Sequence, residues 1–180
     1  LNGINTRVWH PAQDDALIAS YGITTLARKD ECRSALLEEV HLDEGGPVLA
    51  MVTRLAHQKG VDIVVNALDA LMAQDVRLVV LGDGDSMTES ALAAVERKHE
   101  RRVAAIFRFD DALAHRIYAG ADFFLMPSRY EPCGLGQMIA QRYGTPPIAR
   151  ATGGLVDTVE DGKTGFLFDD PDAPSLVAAV

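Results

Sequence analysis

The sequence predicts an α/β fold, a Rossmann-like, doubly wound parallel sheet of about six strands. Three observations carry that reading. Short β-rich apolar runs alternate with amphipathic stretches along most of the chain. The runs are continuously apolar rather than alternating, the pattern of strands covered by helices on both faces. Glycine or proline stands at several junctions where a strand hands over to the next element.

Gly45-Gly46-Pro47 opens the first core strand, 48–53. A helix follows over 61–73, where Val61, Val64, Val65, Leu68, Leu71 and Met72 recur at helical spacing. The second strand, 77–81, closes on Gly82-Asp83-Gly84 and leads to a helix over 86–100 that is charged on one face. Strand 103–107 precedes a helix over 110–120, and strand 122–126 ends at Pro127. Helix 134–143, strand 147–149, a short helix 154–160 and a last strand 165–168 complete the series. Residues 1–45 fit this rhythm less well: 2–11 reads as a loop and 30–40 as a helix capped by Asp30. They are expected to form a linker or entry segment packed on a domain spanning 46–180. Leu1 is not preceded by Met, and 175–180 reads as a helix just beginning, so both ends read as cuts.

The charge excludes some functions. Seventeen Lys plus Arg against 26 Asp plus Glu give −9, which argues against nucleic acid or an anionic membrane as partner. No apolar run approaches the ~18 residues of a membrane span, and no signal peptide is visible. Two cysteines, Cys32 and Cys133, fit a reducing, cytoplasmic setting rather than a disulfide framework.

Doubly wound sheets bind ligands outside the carboxyl ends of their strands, at the topological switch point. Chemistry is therefore sought in loops 54–60, 82–86, 108–111, 127–136 and 150–155. In the first, Arg54 and Lys59 are either two solvated cations or a pair that grips a diphosphate, Arg bidentately and Lys as a point charge. In the fourth, Pro132 holds Glu131 extended, while Gly134 and Gly136 allow close backbone approach at a helix start. Amides there favour phosphate, and Glu131 beside them could accept bonds from sugar hydroxyls. Gly153 and Gly154 form either a second backbone nest or a flexible turn. Gly82-Asp83-Gly84-Asp85 lacks the third glycine of a dinucleotide fingerprint and reads as a plain turn. His10, His41, His57, His99 and His115 show no metal-ligand spacing, so no metal is expected. Cys133 reads as a bystander thiol without a histidine base, and Phe109 as either a base-stacking ring or a core residue.

Here a resemblance becomes specific. Leu1 to Asn5 with Val8-Trp9-His10-Pro11, then Arg54 to Gly60, Phe124 to Gln137, Tyr143-Gly144-Thr145, Arg150 to Val159 and Gly162 to Phe168 occur in the order seen in bacterial glycogen synthases and plant starch synthases. Together they cover most of the chain. The resemblance implies the C-terminal half of a GT-B enzyme, truncated before its final helices. That enzyme is a retaining hexosyltransferase that moves glucose from ADP-glucose to the non-reducing 4-hydroxyl of an α-1,4-glucan, without metal or other cofactor. It implies that Arg54 and Lys59 bind the diphosphate and stabilise departing ADP, and that Glu131 holds the glucose. Backbone amides of Gly134, Leu135 and Gly136 would serve the sugar and distal phosphate, Phe109 would stack on adenine, and Cys133 would lie near the sugar. The glucan acceptor would bind mainly through an N-terminal domain that this sequence lacks, and the compartment would be the bacterial cytoplasm or a plastid. The chain departs from the pattern at Gly136, where the family carries Thr, and at Asn5, where it carries Asp. Ile139 stands where related glycosyltransferases place a second Glu, which favours the glycogen synthase branch. The alternatives are a GT-B enzyme using a UDP- or GDP-sugar, and a non-catalytic nucleotide-binding module.

Overall fold

Six short strands pair in parallel into one sheet in the order β3-β2-β1-β4-β5-β6 in a computed structural model that describes residues 2–180. They are β1 (Val48–Val52), β2 (Arg77–Leu81), β3 (Val103–Ile106), β4 (Phe123–Met126), β5 (Pro147–Arg150) and β6 (Phe166–Phe168). Each lies at the sequence position that its apolar run predicts. Their residues alternate between two cores: Leu49, Met51, Leu78, Val80 and Leu125 face one, and Val48, Ala50, Val79, Leu81 and Phe124 the other. Both faces are dry, which is why the runs carry no polar alternation.

The helices divide accordingly. α2 (Val61–Ala73), α3 (Ser86–Lys98) and α7 (Ala173–Ala179) cover the first core. α1 (Lys29–Glu39), α4 (Asp111–Gly120), α5 (Gly136–Arg142) and α6 (Leu155–Thr158) cover the second. In α2 seven of the residues are buried. Each large apolar side chain among them stabilises by about 1.5–3 kcal/mol, so packing rather than propensity holds the helix. Asp85 and Asp110 cap α3 and α4, accepting the N–H of Thr88 and Leu113 at 2.9 Å.

Several boundaries shift from expectation. Asp30 is not a cap: a 3-10 helix, Ile23–Arg28, runs directly into α1, and Asp30 sits in the first turn. α5 begins at Gly136 rather than 134, because Gly134 is left-handed at φ +72° and keeps 134–135 outside the helix. α6 is a single turn ended by extended Val159. α7 starts at Ala173, two residues before the predicted helix, with Asp172 accepting the Ser175 N–H at 2.9 Å.

The entry segment packs on the second core. Trp9 stacks on His115 with ring centroids 4.0 Å apart. Asp14 Oδ2 lies 2.7 Å from His115 Nδ1 and accepts the Tyr143 hydroxyl, all three groups being buried. Burial and then that bond push the Tyr143 phenol above its ordinary range. No helix among the described residues is long and apolar enough to cross a membrane.

Candidate functional site

β1 and β4 are neighbours in the sheet but not in sequence, and only Leu49–Phe123 and Ala50–Phe124 pair between them. Beyond that short ladder their carboxyl ends open into a cleft of about 500 Å³. Its walls include Arg54 and Lys59 from the loop after β1, and Glu131 with 133–136 from the loop after β4. The two candidate loops thus converge at the topological switch point, where such sheets take ligands.

Lys59 and Glu131, 72 residues apart, meet at 2.6 Å between Nζ and Oε2. The Ser128 hydroxyl donates to the same carboxylate oxygen at 3.2 Å. Glu131 is only 5% exposed, so its charge requires such partners. An ammonium has three N–H donors, and one is engaged here. Arg54 is exposed and makes no ion pair among the described residues. The site therefore presents an unneutralised guanidinium and a partly engaged ammonium in a protein of net charge −9.

Close approach of the two loops depends on Gly60. Its φ is +69°, and a Cβ there would lie 2.1 Å from the Pro127 carbonyl oxygen. Polar bonds then lock the loops together. The Arg129 N–H donates to the Gln58 carbonyl at 2.9 Å, and Gln58 Nε2 donates to the Tyr130 carbonyl at 2.9 Å. The Arg129 guanidinium grips both oxygens of Asp62 at 2.7 Å and the His57 carbonyl at 3.0 Å. That guanidinium holds the Asp62 carboxyl below the usual carboxylate range.

On the opposite wall no protein acceptor among the described residues meets the N–H of Gly134, Leu135 or Gly136. Cys133 is half-buried, and its Sγ accepts the Asn2 N–H at 3.0 Å. Asn2 lines the cleft, a placement that a loop-like 2–11 did not suggest. Leu1, first residue of the same motif, lies outside the described residues. Gly136 fits under Phe124: a Cβ would lie 2.9 Å from that ring, so the larger Thr of the family's pattern would require Phe124 to shift.

Other candidates fall elsewhere. Phe109 is 85% exposed in the loop after β3, outside the cleft, so its reading as a core residue is corrected. Gly153 and Gly154 lie outside the cleft lining and pack against protein backbone. The Gly154 N–H donates to the Glu131 carbonyl at 3.0 Å, and a Cβ on Gly153, at φ +51°, would lie 2.0 Å from that oxygen. Both glycines pack against the segment that carries Glu131 and position it. Gly82–Asp85 is the expected plain turn, tied to Leu55 and ending in the α3 cap. Among the described residues no group of three or more His, Cys, Asp or Glu is placed to hold a metal.

The family model described as Glycosyl transferases group 1 matches residues 33–180. A glycogen synthase of Anaeromyxobacter dehalogenans is 52% identical over 99% of this chain and 39% of its own length. One from Myxococcus xanthus is 48% identical over 100% of this chain and 38% of its own. The catalytic domain of starch synthase IV from Arabidopsis thaliana, solved bound to ADP and acarbose, superposes with a TM-score of 0.93 at 36% identity, over 99% of this chain and 39% of that one. The chain thus spans about two fifths of the length of the curated relatives it matches.

Proposed function

The chain belongs to the group 1 glycosyl transferases, and on that premise we propose that it is the donor-binding half of a glycogen synthase. The proposed whole enzyme transfers glucose from ADP-glucose to the non-reducing 4-hydroxyl of an α-1,4-glucan with retention. One observation carries the reading: Arg54, Lys59, Glu131 and the 133–136 backbone line one cleft at the switch point. The similarity to glycogen synthases over the whole chain supports it, and the ADP in the starch synthase structure supports the nucleotide.

In this reading the diphosphate lies between the two loops. Arg54 holds it through paired N–H bonds, and Lys59 gives its remaining donors to phosphate oxygens. Amides of Gly134, Leu135 and Gly136 complete the shell, and Glu131 accepts bonds from glucose hydroxyls. When the bond between the anomeric carbon and the phosphate oxygen breaks, negative charge grows on ADP. Fixed cations and amide dipoles stabilise that charge without reorganising. The same groups serve in place of a metal. Phe109, exposed at the same sheet edge, offers its ring to adenine. The acceptor glucan binds mainly to the part of the enzyme outside this chain, so the 180-residue chain binds donor weakly and transfers no glucose.

Calorimetric titration with ADP, UDP and GDP, followed by an assay with labelled ADP-glucose and glycogen, tests this. ADP is expected to bind more tightly than UDP or GDP, and label is expected to stay out of glycogen. Preference for UDP or GDP would favour another glycosyltransferase. Binding of no nucleotide would remove the donor-site reading, and turnover by this chain would overturn its assignment as a half-site.

A further inference from the structure

Gln137 follows the cleft turn and is fully buried, yet it is not in the cleft wall. Its side-chain amide is strongly biased. The two N–H groups of Nε2 serve three acceptors, the carbonyls of Cys133 at 3.0 Å and Gly134 at 3.2 Å and Thr158 Oγ1 at 2.9 Å, so two of the three share one N–H. Its Oε1 is buried with no partner. Reversing the amide would set Oε1 against two carbonyl oxygens, so the acceptors fix this orientation. A residue kept only for packing would be apolar here and leave no buried oxygen unpaired.

The donor end explains the choice. In a trans peptide the C=O and the N–H of one plane point in opposite directions. The Cys133 carbonyl shares its plane with the Gly134 N–H, and the Gly134 carbonyl with the Leu135 N–H. Holding both carbonyls toward Gln137 turns both N–H groups the other way, and Gly134 and Leu135 line the cleft. We propose that Gln137 is a positioning residue: by binding the Cys133 and Gly134 carbonyls it aims the Gly134 and Leu135 N–H groups at the phosphate-binding space. The proposal rests on the donor-site reading above and deepens it.

The hold extends to Glu131. Thr158, which accepts from Gln137, donates to the Gly154 carbonyl at 2.8 Å, and the Gly154 N–H donates to the Glu131 carbonyl. One chain of bonds therefore sets the backbone of Glu131 and the amides of the turn together. The left-handed Gly134 fits this contact. A Cβ there would lie 2.4 Å from Gln137 Oε1, so only glycine lets the amide lie flat on the turn.

The test is a ¹⁵N-resolved NMR titration of the 180-residue chain with ADP and with adenosine, for wild type, Gln137→Met and Thr158→Val. Met keeps the shape and removes the donor. In wild type the Gly134 and Leu135 amide signals are expected to move with ADP and not with adenosine. Gln137→Met is expected to weaken ADP about tenfold and leave adenosine unchanged, about 1.4 kcal/mol confined to the phosphates. Thr158→Val, which removes one anchor of the Gln137 amide, is expected to weaken ADP in the same selective way, and it carries the test if the Met variant does not fold. Equal ADP affinity in a folded variant, or equal loss for ADP and adenosine, overturns the positioning role. If ADP moves no cleft amide in wild type, the donor-site reading itself fails, and the positioning role fails with it.

Discussion

The Lys59–Glu131 pair allows stability and binding to be separated. In Lys59→Met the Glu131 carboxylate keeps only the Ser128 hydroxyl at 3.2 Å. The two side chains are 18% and 7% exposed. Breaking a fully buried pair costs about 3–5 kcal/mol. The cleft mouth admits water to the orphaned carboxylate, which brings the expected loss to about 2–3 kcal/mol. For a domain of this size each kcal/mol moves the thermal midpoint by about 2–4 °C, so the midpoint falls by about 5–10 °C. Lys59→Met/Glu131→Gln removes both charges and is expected to lie within about 1 kcal/mol of wild type. ADP binding is expected to fall at least tenfold in the single and double variants alike. Scanning calorimetry with ADP titrations reads both effects. A double variant as stable as wild type that binds ADP as tightly would remove Lys59 from the donor site. A single variant destabilised by under about 0.5 kcal/mol would show that the ion pair is not formed in solution.

Two further outcomes follow from the same geometry. Gly60→Ala places a methyl where the Pro127 carbonyl stands 2.1 Å away and strains a φ of +69°; a loss of at least about 2 kcal/mol in urea unfolding is expected, and a neutral effect would mean the loops do not meet as described. Lys29 donates to the Ala119 carbonyl at 2.6 Å and Thr145 Oγ1 at 2.8 Å with no carboxylate in contact among the described residues, and burial lowers its ammonium from 10.5 to about 8. The unfolded chain then holds the proton longer between pH 8 and 10.5, so wild type should gain stability relative to Lys29→Met across that window; a pH-independent difference in unfolding free energy would refute the shift.

The strands were legible because β1 to β5 are buried on both faces, and a continuous apolar run is local information. The same holds for α2, whose bounds match its 3.6-residue periodicity. The cationic loop and Glu131, held by Pro132 ahead of Gly134 and Gly136, were legible as types of chemistry. Their meeting was not, because Lys59 and Glu131 are 72 residues apart and only the sheet order brings them together. Asn2 reaches the cleft across 131 residues through its N–H to Cys133. No periodicity or turn signal encodes such a contact. The 3-10 helix at Ile23–Arg28 was missed because it buries no residue and so leaves no apolar pattern. Gly153 and Gly154 stayed open between a ligand nest and a turn in the sequence, because a close approach to protein backbone and one to phosphate require the same absence of a side chain.

The cleft itself follows from the path of the chain. After β1 the chain turns into α2 on one face of the sheet, and after β4 into α5 on the other. Two adjacent strands that hand over to opposite faces cannot both cover the gap between their ends. Elsewhere a loop crosses to a neighbour on the same side and closes over the edge: after β2, the 82–85 turn pairs with Leu55 and runs into α3, which shares its face with α2. At β1 and β4 the loops must part, and the sequence compensates with bonds that bridge the parting, Gln58 to Tyr130 and Arg129 to His57 and Asp62. With them, and with the Arg129 N–H on the Gln58 carbonyl, the spacing of the two walls does not depend on the Lys59–Glu131 contact, the pair that the proposed donor binding would partly redirect. Placing the structural ties beside the cleft rather than within it lets the walls keep their spacing when Lys59 turns to a diphosphate, as the proposed function requires.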